Sequence, residues 1–328
     1  MFKAILLERD DEGATKAALT SVAVDQLPQG EVEIDVSYST LNYKDALAIT
    51  GKAPVVRQWP MVPGIDLAGV VRASSDPAYP VGTAVVVNGH GMGELHWGGL
   101  AERARVPAQW ITKLPEGMSA QDAMSIGTAG YTAMLSVLAL ERQGVKPSDG
   151  PVLVTGANGG VGSFAVALLA GRGFDVTAST GRMQEAERLK ALGAKTVIDR
   201  GPLSEKGKPL QKEVWAAAVD CVGSHTLANV CAQMRYGGVV TACGLAQGLD
   251  FPATVAPFIL RGVTLVGIDS VYASASAREQ AWQALAKETT PTLRQNMVRE
   301  LTLDQALAGA QDLLDGKILG RVVVNVRS

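Results

Sequence analysis

A chain of 328 residues is long enough for two domains or one large α/β unit, and 47% hydrophobic residues suffice for a sizeable core. The 30 basic and 32 acidic residues nearly cancel, which excludes a broad electrostatic footprint for nucleic acid or an anionic membrane; any anion site has to be local. The three cysteines, Cys221, Cys231 and Cys243, show no CxxC spacing and are too few for a four-cysteine zinc site; they read as small buried thiols in a reducing cytoplasm.

The apolar run Ala4–Leu7 is too short for a signal segment. No apolar stretch is expected to approach the length of a membrane span, so the expectation is a soluble, cytoplasmic protein. Phe2–Leu7 reads as a strand. Glu31–Ser39 alternates charged and apolar residues with period two, as a half-buried strand does. Leu67–Arg72 and Thr83–Asn88 are further strands, with turns at Pro63-Gly64 and Val81-Gly82. Short strands with regular turns suggest an antiparallel, barrel-like domain. From Met118 to Val145 the apolar residues follow helical spacing, and Lys146–Gly150 breaks the chain.

Beyond that break, strands and helices alternate. Val152–Thr155 is a strand, Val161–Ala170 a helix, Asp175–Ser179 a strand and Gln184–Leu192 a helix. Thr196–Ile198, Ala217–Cys221, Gly238–Cys243 and Val263–Ile268 are the next strand candidates, and Lys206–Lys212 reads as an exposed loop. Such repetition means a parallel, doubly wound sheet. The tail carries helical patterns at Ala277–Lys287 and Leu303–Asp315 and ends in a strand, Gly320–Val326, expected to return to the first domain. The fold class is therefore α/β. A β domain is expected over residues 1–124 and 290–328, and a nucleotide-binding domain over 125–289.

The segment Val152–Leu169 (VLVTGANGGVGSFAVALL) leads a buried strand into a Gly-rich turn that opens a helix. Gly156 permits the tight turn. Gly159 and Gly160 let backbone approach a pyrophosphate, and Gly162 lets the helix pack closely. The helix N-terminus offers free N–H groups and a positive dipole end to the phosphates. In such folds an acidic residue about 20 residues on holds the ribose 2′-hydroxyl of NAD. Here Asp175–Arg182 reads DVTASTGR, and the strand end carries Ser179, Thr180, Gly181 and Arg182. A 2′-phosphate favours a guanidinium fork and hydroxyl donors and repels a carboxylate, so the cofactor expected is NADPH. Val219–Gly223, Tyr236–Gly238 and Ala242–Ala246 are read as strand-end loops on the same side of the sheet. They suit the nicotinamide half or serve as plain turns.

Leu41–Leu47 (LNYKDAL) sets Asn42, Tyr43, Lys44 and Asp45 directly after a strand. Tyr43 is able to donate a proton or hold the nicotinamide amide, and Asn42 to orient a carbonyl. A cap before a short helix reads equally well from the spacing. His90, Glu94 and His96 lie in the Gly-rich loop Asn88–Gly99, which supplies no further close ligand, so no metal is assigned. His225 has no role.

The order of LNYKDAL, PGIDLAGVV (Pro63–Val71), WGGLAERARV (Trp97–Val106), GTAGYTAM (Gly127–Met134), VTGANGGVG and GRVVVNV resembles the medium-chain dehydrogenase/reductase superfamily. The resemblance implies a GroES-like β domain with a Rossmann domain inserted before the final strands. Zinc-dependent members carry cysteine and histidine ligands where this chain has Asn42–Asp45, and a four-cysteine lobe; the likeness is to the zinc-free, quinone-oxidoreductase-like branch. Within it, LNYKDALAITGK (Leu41–Lys52), HWGGLAE (His96–Glu102), STGR, QMRYGGVVTACGLA (Gln233–Ala246) and PFILRGVTLVGIDS (Pro257–Ser270) are similar to the NADPH-dependent acrylyl-CoA reductases. That likeness implies cofactor contacts at Tyr43, Asn158, Gly159, Gly160, Val161, Thr180, Gly181, Arg182, Arg200, Leu245, Ile259 and Ser270. It implies conjugate reduction of a small CoA thioester in a homodimer. Reduction of quinones or 2-alkenals is the alternative, and a non-catalytic NADPH-binding protein is the alternative of another class.

Overall fold

A computed structural model describes residues 1–328, the side chain of Asn296 excepted. The chain forms two compact units, Met1–Thr128 with Ser270–Ser328, and Ala129–Asp269. The expected boundaries were 124/125 and 289/290. The second difference follows from the helix Ala275–Glu288, whose buried Arg278 donates to the carbonyls of Asn88 (2.8 Å), Ser270 (3.1 Å) and Val271 (2.7 Å), all within the first unit.

In the first unit Val32–Thr40 is the central strand. It pairs antiparallel with Asp66–Ser74, Arg103–Val106 and Arg321–Asn325. Ala84–Asn88 and Thr112–Lys113 extend the seven-stranded sheet on one side, and Val298–Thr302 pairs parallel with Arg321–Asn325 on the other. The alternation seen in sequence is realised: Val32, Ile34 and Val36 are buried in the core with Leu67, Val85, Val87, Val322 and Val324. Glu33 and Asp35, on the opposite face, meet Arg72, Arg103 and Arg105. A separate hairpin joins Phe2–Arg9 to Thr15–Val22. Its second strand is not legible in the sequence, because most of that strand faces solvent and period-two burial is lost.

The second unit holds a six-stranded parallel sheet. Its order is Thr196–Asp199, Val176–Thr180, Val152–Val154, Trp215–Asp220, Met234–Ala242, Thr264–Gly267. The chain winds outward from Val152–Val154 in one direction, then returns to Trp215–Asp220 and winds in the other. The carboxyl ends of those two strands therefore form the topological switch point, where such sheets bind ligands. Tyr236–Gly238 departs from its expected place. It lies near the start of Met234–Ala242, where the register with Trp215–Asp220 shifts, and so sits toward the amino end of the strand.

The helix Ala120–Arg142 departs from another expectation. It is long and apolar enough to cross a bilayer, yet 94% of its most apolar window is buried, as in a core helix. Gly127 interrupts it at φ 51° and ψ −163°, a conformation that suits glycine.

Candidate active site

The Gly-rich turn sits at the switch point. Gly156 adopts φ +59°. A Cβ at Gly162 would stand 2.4 Å from the Gly156 carbonyl oxygen, so the turn and the helix Gly160–Gly171 approach as closely as backbone allows. The Ala157 N–H donates to Ser179 O (3.1 Å) and Ser163 Oγ to Ala157 O (3.0 Å), fixing the turn to the second strand and to its own helix. The first intrahelical bond runs from Ser163 N–H to Gly159 O (2.9 Å). The N–H groups of Gly160, Val161 and Gly162 thus precede the helical ladder, as an anion cradle requires. On the other side Thr155 Oγ1 donates to Asp220 Oδ1 (2.7 Å), and Asp220 Oδ2 accepts from Gly223 N–H (2.8 Å). Burial pushes the Asp220 carboxyl up, and these bonds oppose it.

The end of strand Val176–Thr180 is less open than its composition suggests. Ser179 and Thr180 are both buried. Thr180 Oγ1 accepts from Asn158 Nδ2 (2.8 Å) and from Arg182 N–H (3.0 Å), so it organises the loop instead of facing solvent. Arg200 lies across Gly181: a Cβ there would be 2.6 Å from Arg200 Nε. The Arg200 N–H donates to Thr180 O (2.9 Å). Arg182 and Arg200 thus flank Gly181. Asp199, which lies outside DVTASTGR, is set beside Thr180 by the neighbouring strand; its carboxylate accepts from Gly201 N–H (2.7 Å). Asp175 pairs with Lys195 at the far end of the strand (2.8 Å). A close backbone cradle with the Arg200 guanidinium at Gly181, and Arg182 next in sequence, fits a dinucleotide bearing a 2′-phosphate. Leu245 and Ile259 are exposed in this unit; Tyr43 and Ser270 belong to the other.

The segment LNYKDAL forms the start of the helix Tyr43–Thr50. The cap is made by Asp45, whose Oδ2 accepts from Asn42 N–H (2.8 Å) while Oδ1 accepts from Gly64 N–H (3.1 Å) and Ile65 N–H (2.9 Å). Burial raises the Asp45 carboxyl to about 6. Asn42 was expected to orient a substrate carbonyl, but its side chain is committed inward. Its Nδ2 donates to Thr40 Oγ1 (2.8 Å) and Asp66 Oδ2 (2.8 Å), and its Oδ1 accepts from Arg321 Nη1 (2.7 Å). Both N–H donors of the amide are thereby used, so none is left to orient a carbonyl.

At the centre of this network is buried Asp66, which also accepts from Thr40 Oγ1 (2.6 Å), Asn88 Nδ2 (2.6 Å) and both the N–H and hydroxyl of Thr128. Arg321 Nη2 stands 3.7 Å from it, packed into the space left by the missing side chain of Gly127. Asp66 lies in PGIDLAGVV and Arg321 in GRVVVNV, but no local pattern marks them, because their partners are distant in sequence. Lys44 pairs with Glu94 (2.6 Å), and Tyr43 is left outward, 63% exposed.

His90 stacks on Trp110 (5.2 Å between ring centroids), and His96 meets the same indole edge-on (5.0 Å). Burial lowers His90 to about 4, with Arg278 adding to the effect. With Glu94 drawn to Lys44, these side chains do not form a zinc donor set. Among the described residues no group of three His, Cys, Asp or Glu side chains converges. Of the cysteines only Cys231 is fully buried; Cys221 and Cys243, at the ends of neighbouring strands, have sulfurs 3.8 Å apart. The Cys243 thiol and burial push Cys221 well up, so it is not an activated thiolate.

The alcohol dehydrogenase GroES-like domain family matches residues 28–116, and the zinc-binding dehydrogenase family matches residues 160–287. The chain is 48% identical to acrylyl-CoA reductase AcuI of Ruegeria pomeroyi, over 100% of both chains. The crystal structure of the yhdH oxidoreductase from Salmonella enterica in complex with NADP superposes with a TM-score of 0.97 at 49% identity, over 99% of each chain. Bacillus subtilis protein yhfP with NAD bound gives a TM-score of 0.95 at 42% identity, again over 99% of each chain.

Proposed function

The chain belongs to the medium-chain dehydrogenase/reductase superfamily, and from that premise we propose that it is an NADPH-dependent reductase of the double bond of acrylyl-CoA. The observation that carries this reading is full-length identity of 48% to an acrylyl-CoA reductase. The arginine pair beside Gly181 supports NADPH over NADH.

The turn from Gly156 to Gly162 would hold the pyrophosphate, and Arg182 with Arg200 the 2′-phosphate. When bound, NADPH supplies the hydride that the β-carbon of the enoyl thioester accepts. Negative charge then develops on the thioester oxygen and has to be met by hydrogen-bond donors. The α-carbon needs a proton, and Tyr43 is the side chain of LNYKDAL free to give it. Asn42, Asp45, Asp66 and Arg321 hold the loop that carries Tyr43. The product is propionyl-CoA.

A second copy of the chain is the proposed partner. Thr264–Gly267 ends the sheet with one strand neighbour and leaves its outer edge for pairing, and sizing in solution tests this. Three cysteines without CxxC spacing suit a reducing cytoplasm, the compartment proposed.

The reading is tested by reducing acrylyl-CoA with NADPH deuterated at the transferring position of the nicotinamide. Propionyl-CoA labelled at its β-carbon is expected. Label at the α-carbon, or unlabelled product, contradicts the assignment.

A further inference from the structure

We propose that Arg188 is a further specificity-determining residue for the 2′-phosphate of the dinucleotide, acting through Asn158; this rests on the NADPH reading above. Arg188 lies on the short helix Ala186–Ala191, which follows the second strand. Its Nη1 donates to Asn158 Oδ1 (3.2 Å) and to Ser163 Oγ (3.3 Å). Asn158 Nδ2 in turn donates to Thr180 Oγ1 (2.8 Å), which also accepts from Arg182 N–H (3.0 Å). One hydrogen-bonded chain therefore joins Arg188, Asn158, Thr180 and Arg182, linking the pyrophosphate turn to the 2′-phosphate end of the second strand.

Two physical points give Arg188 more than a packing role. The first is orientation. The amide of buried Asn158 can be turned two ways, and a guanidinium only donates; Arg188 therefore fixes the carbonyl toward itself and the NH2 toward Thr180. Without it, the amide is free to turn, and Thr180 Oγ1 would then have to donate to its carbonyl, reorienting the hydroxyl that accepts from Arg182 N–H. The second point is charge. The hydrogen-bond partners of Arg188 are neutral oxygens, and among the described residues no carboxylate forms an ion pair with it, although Glu185 is near enough to act on its charge. Its burial disfavours the cation and lowers its pKa. A half-buried guanidinium with no carboxylate of its own is stabilised by an arriving anion. In the NADPH reading that anion is the 2′-phosphate that Arg182 and Arg200 would hold.

The test is a fluorescence titration of the purified full-length chain with NADPH and with NADH, for wild type, Arg188→Met, Arg188→Lys and Arg182→Ala. Competition by 2′,5′-ADP and by 5′-AMP isolates the phosphate itself. Arg188→Met is expected to raise the NADPH dissociation constant about ten-fold and to leave NADH within about two-fold. Loss of 2′,5′-ADP binding should exceed that of 5′-AMP by the same ratio. Arg188→Lys keeps the charge without the fork and should fall between the two. Equal weakening of both dinucleotides, or unchanged NADPH binding, overturns the proposal. Unfolding midpoints check that each variant is folded, and Arg188→Gln replaces Arg188→Met if that one is not. A wild type without preference for NADPH overturns the cofactor reading and this inference together. A preference that survives Arg188→Met but not Arg182→Ala overturns this inference alone.

Discussion

Tyr43 stands out in LNYKDAL because its neighbours are committed elsewhere. Asn42 is held by Thr40, Asp66 and Arg321, Lys44 by Glu94, and Asp45 by three backbone N–H groups. The sequence showed four polar residues in a row and could not divide these roles, because the partners that divide them come from distant segments. The phenol is the one side chain of the four left outward. Replacing Tyr43 by Phe is therefore expected to lower kcat about a hundred-fold, with KM for NADPH within about two-fold, the magnitude of a lost general acid. Steady-state kinetics checks this. A rise in the NADPH KM with kcat intact would assign Tyr43 to cofactor binding instead.

Elements with strong local patterns were legible. Val32–Thr40 declares itself by alternation, and the strand, glycine turn and helix from Val152 to Gly171 by the need for residues without side chains. Thr15–Val22 and Val298–Thr302 were not legible, since both are largely exposed and exist through pairing with other strands. The loop after Asn88 shows the same limit: spacing hinted at ligands, whereas packing has turned His90 into a stacked, partly buried ring.

That packing has a pH signature. His90 is lowered to about 4 from an ordinary 6.5, so the unfolded chain takes up the proton first as pH falls. Stability is whole above about 6.5 and is lost between there and about 4, by up to about 3 kcal/mol. Asp45, raised to about 6, acts oppositely: its contribution is largest when protonated and declines as pH rises through that value. His90→Asn isolates the first effect, because asparagine tolerates the φ of 53° at this position. Urea unfolding of wild type and variant from pH 7.5 to 4.5 should show the wild type losing more stability. Parallel curves would remove His90 as the cause.

At the scale of the whole molecule, two folding patterns succeed one another along one chain, and the second is inserted into the first. Sequence periodicity revealed both, including the return of Arg321–Asn325 to the first sheet. It placed the return boundary later, because the helix Ala275–Glu288 is assigned by the long-range bonds of Arg278 rather than by its own pattern. The chemistry proposed for the molecule is conjugate reduction of a thioester, with NADPH preferred. The most direct measurement of that claim is kcat/KM for acrylyl-CoA, crotonyl-CoA and a benzoquinone, each with NADPH and with NADH. Acrylyl-CoA with NADPH is expected to exceed the quinone with NADPH, and acrylyl-CoA with NADH, by at least about ten-fold. A quinone turned over faster than either thioester, or no turnover of any substrate despite tight NADPH binding, would contradict it.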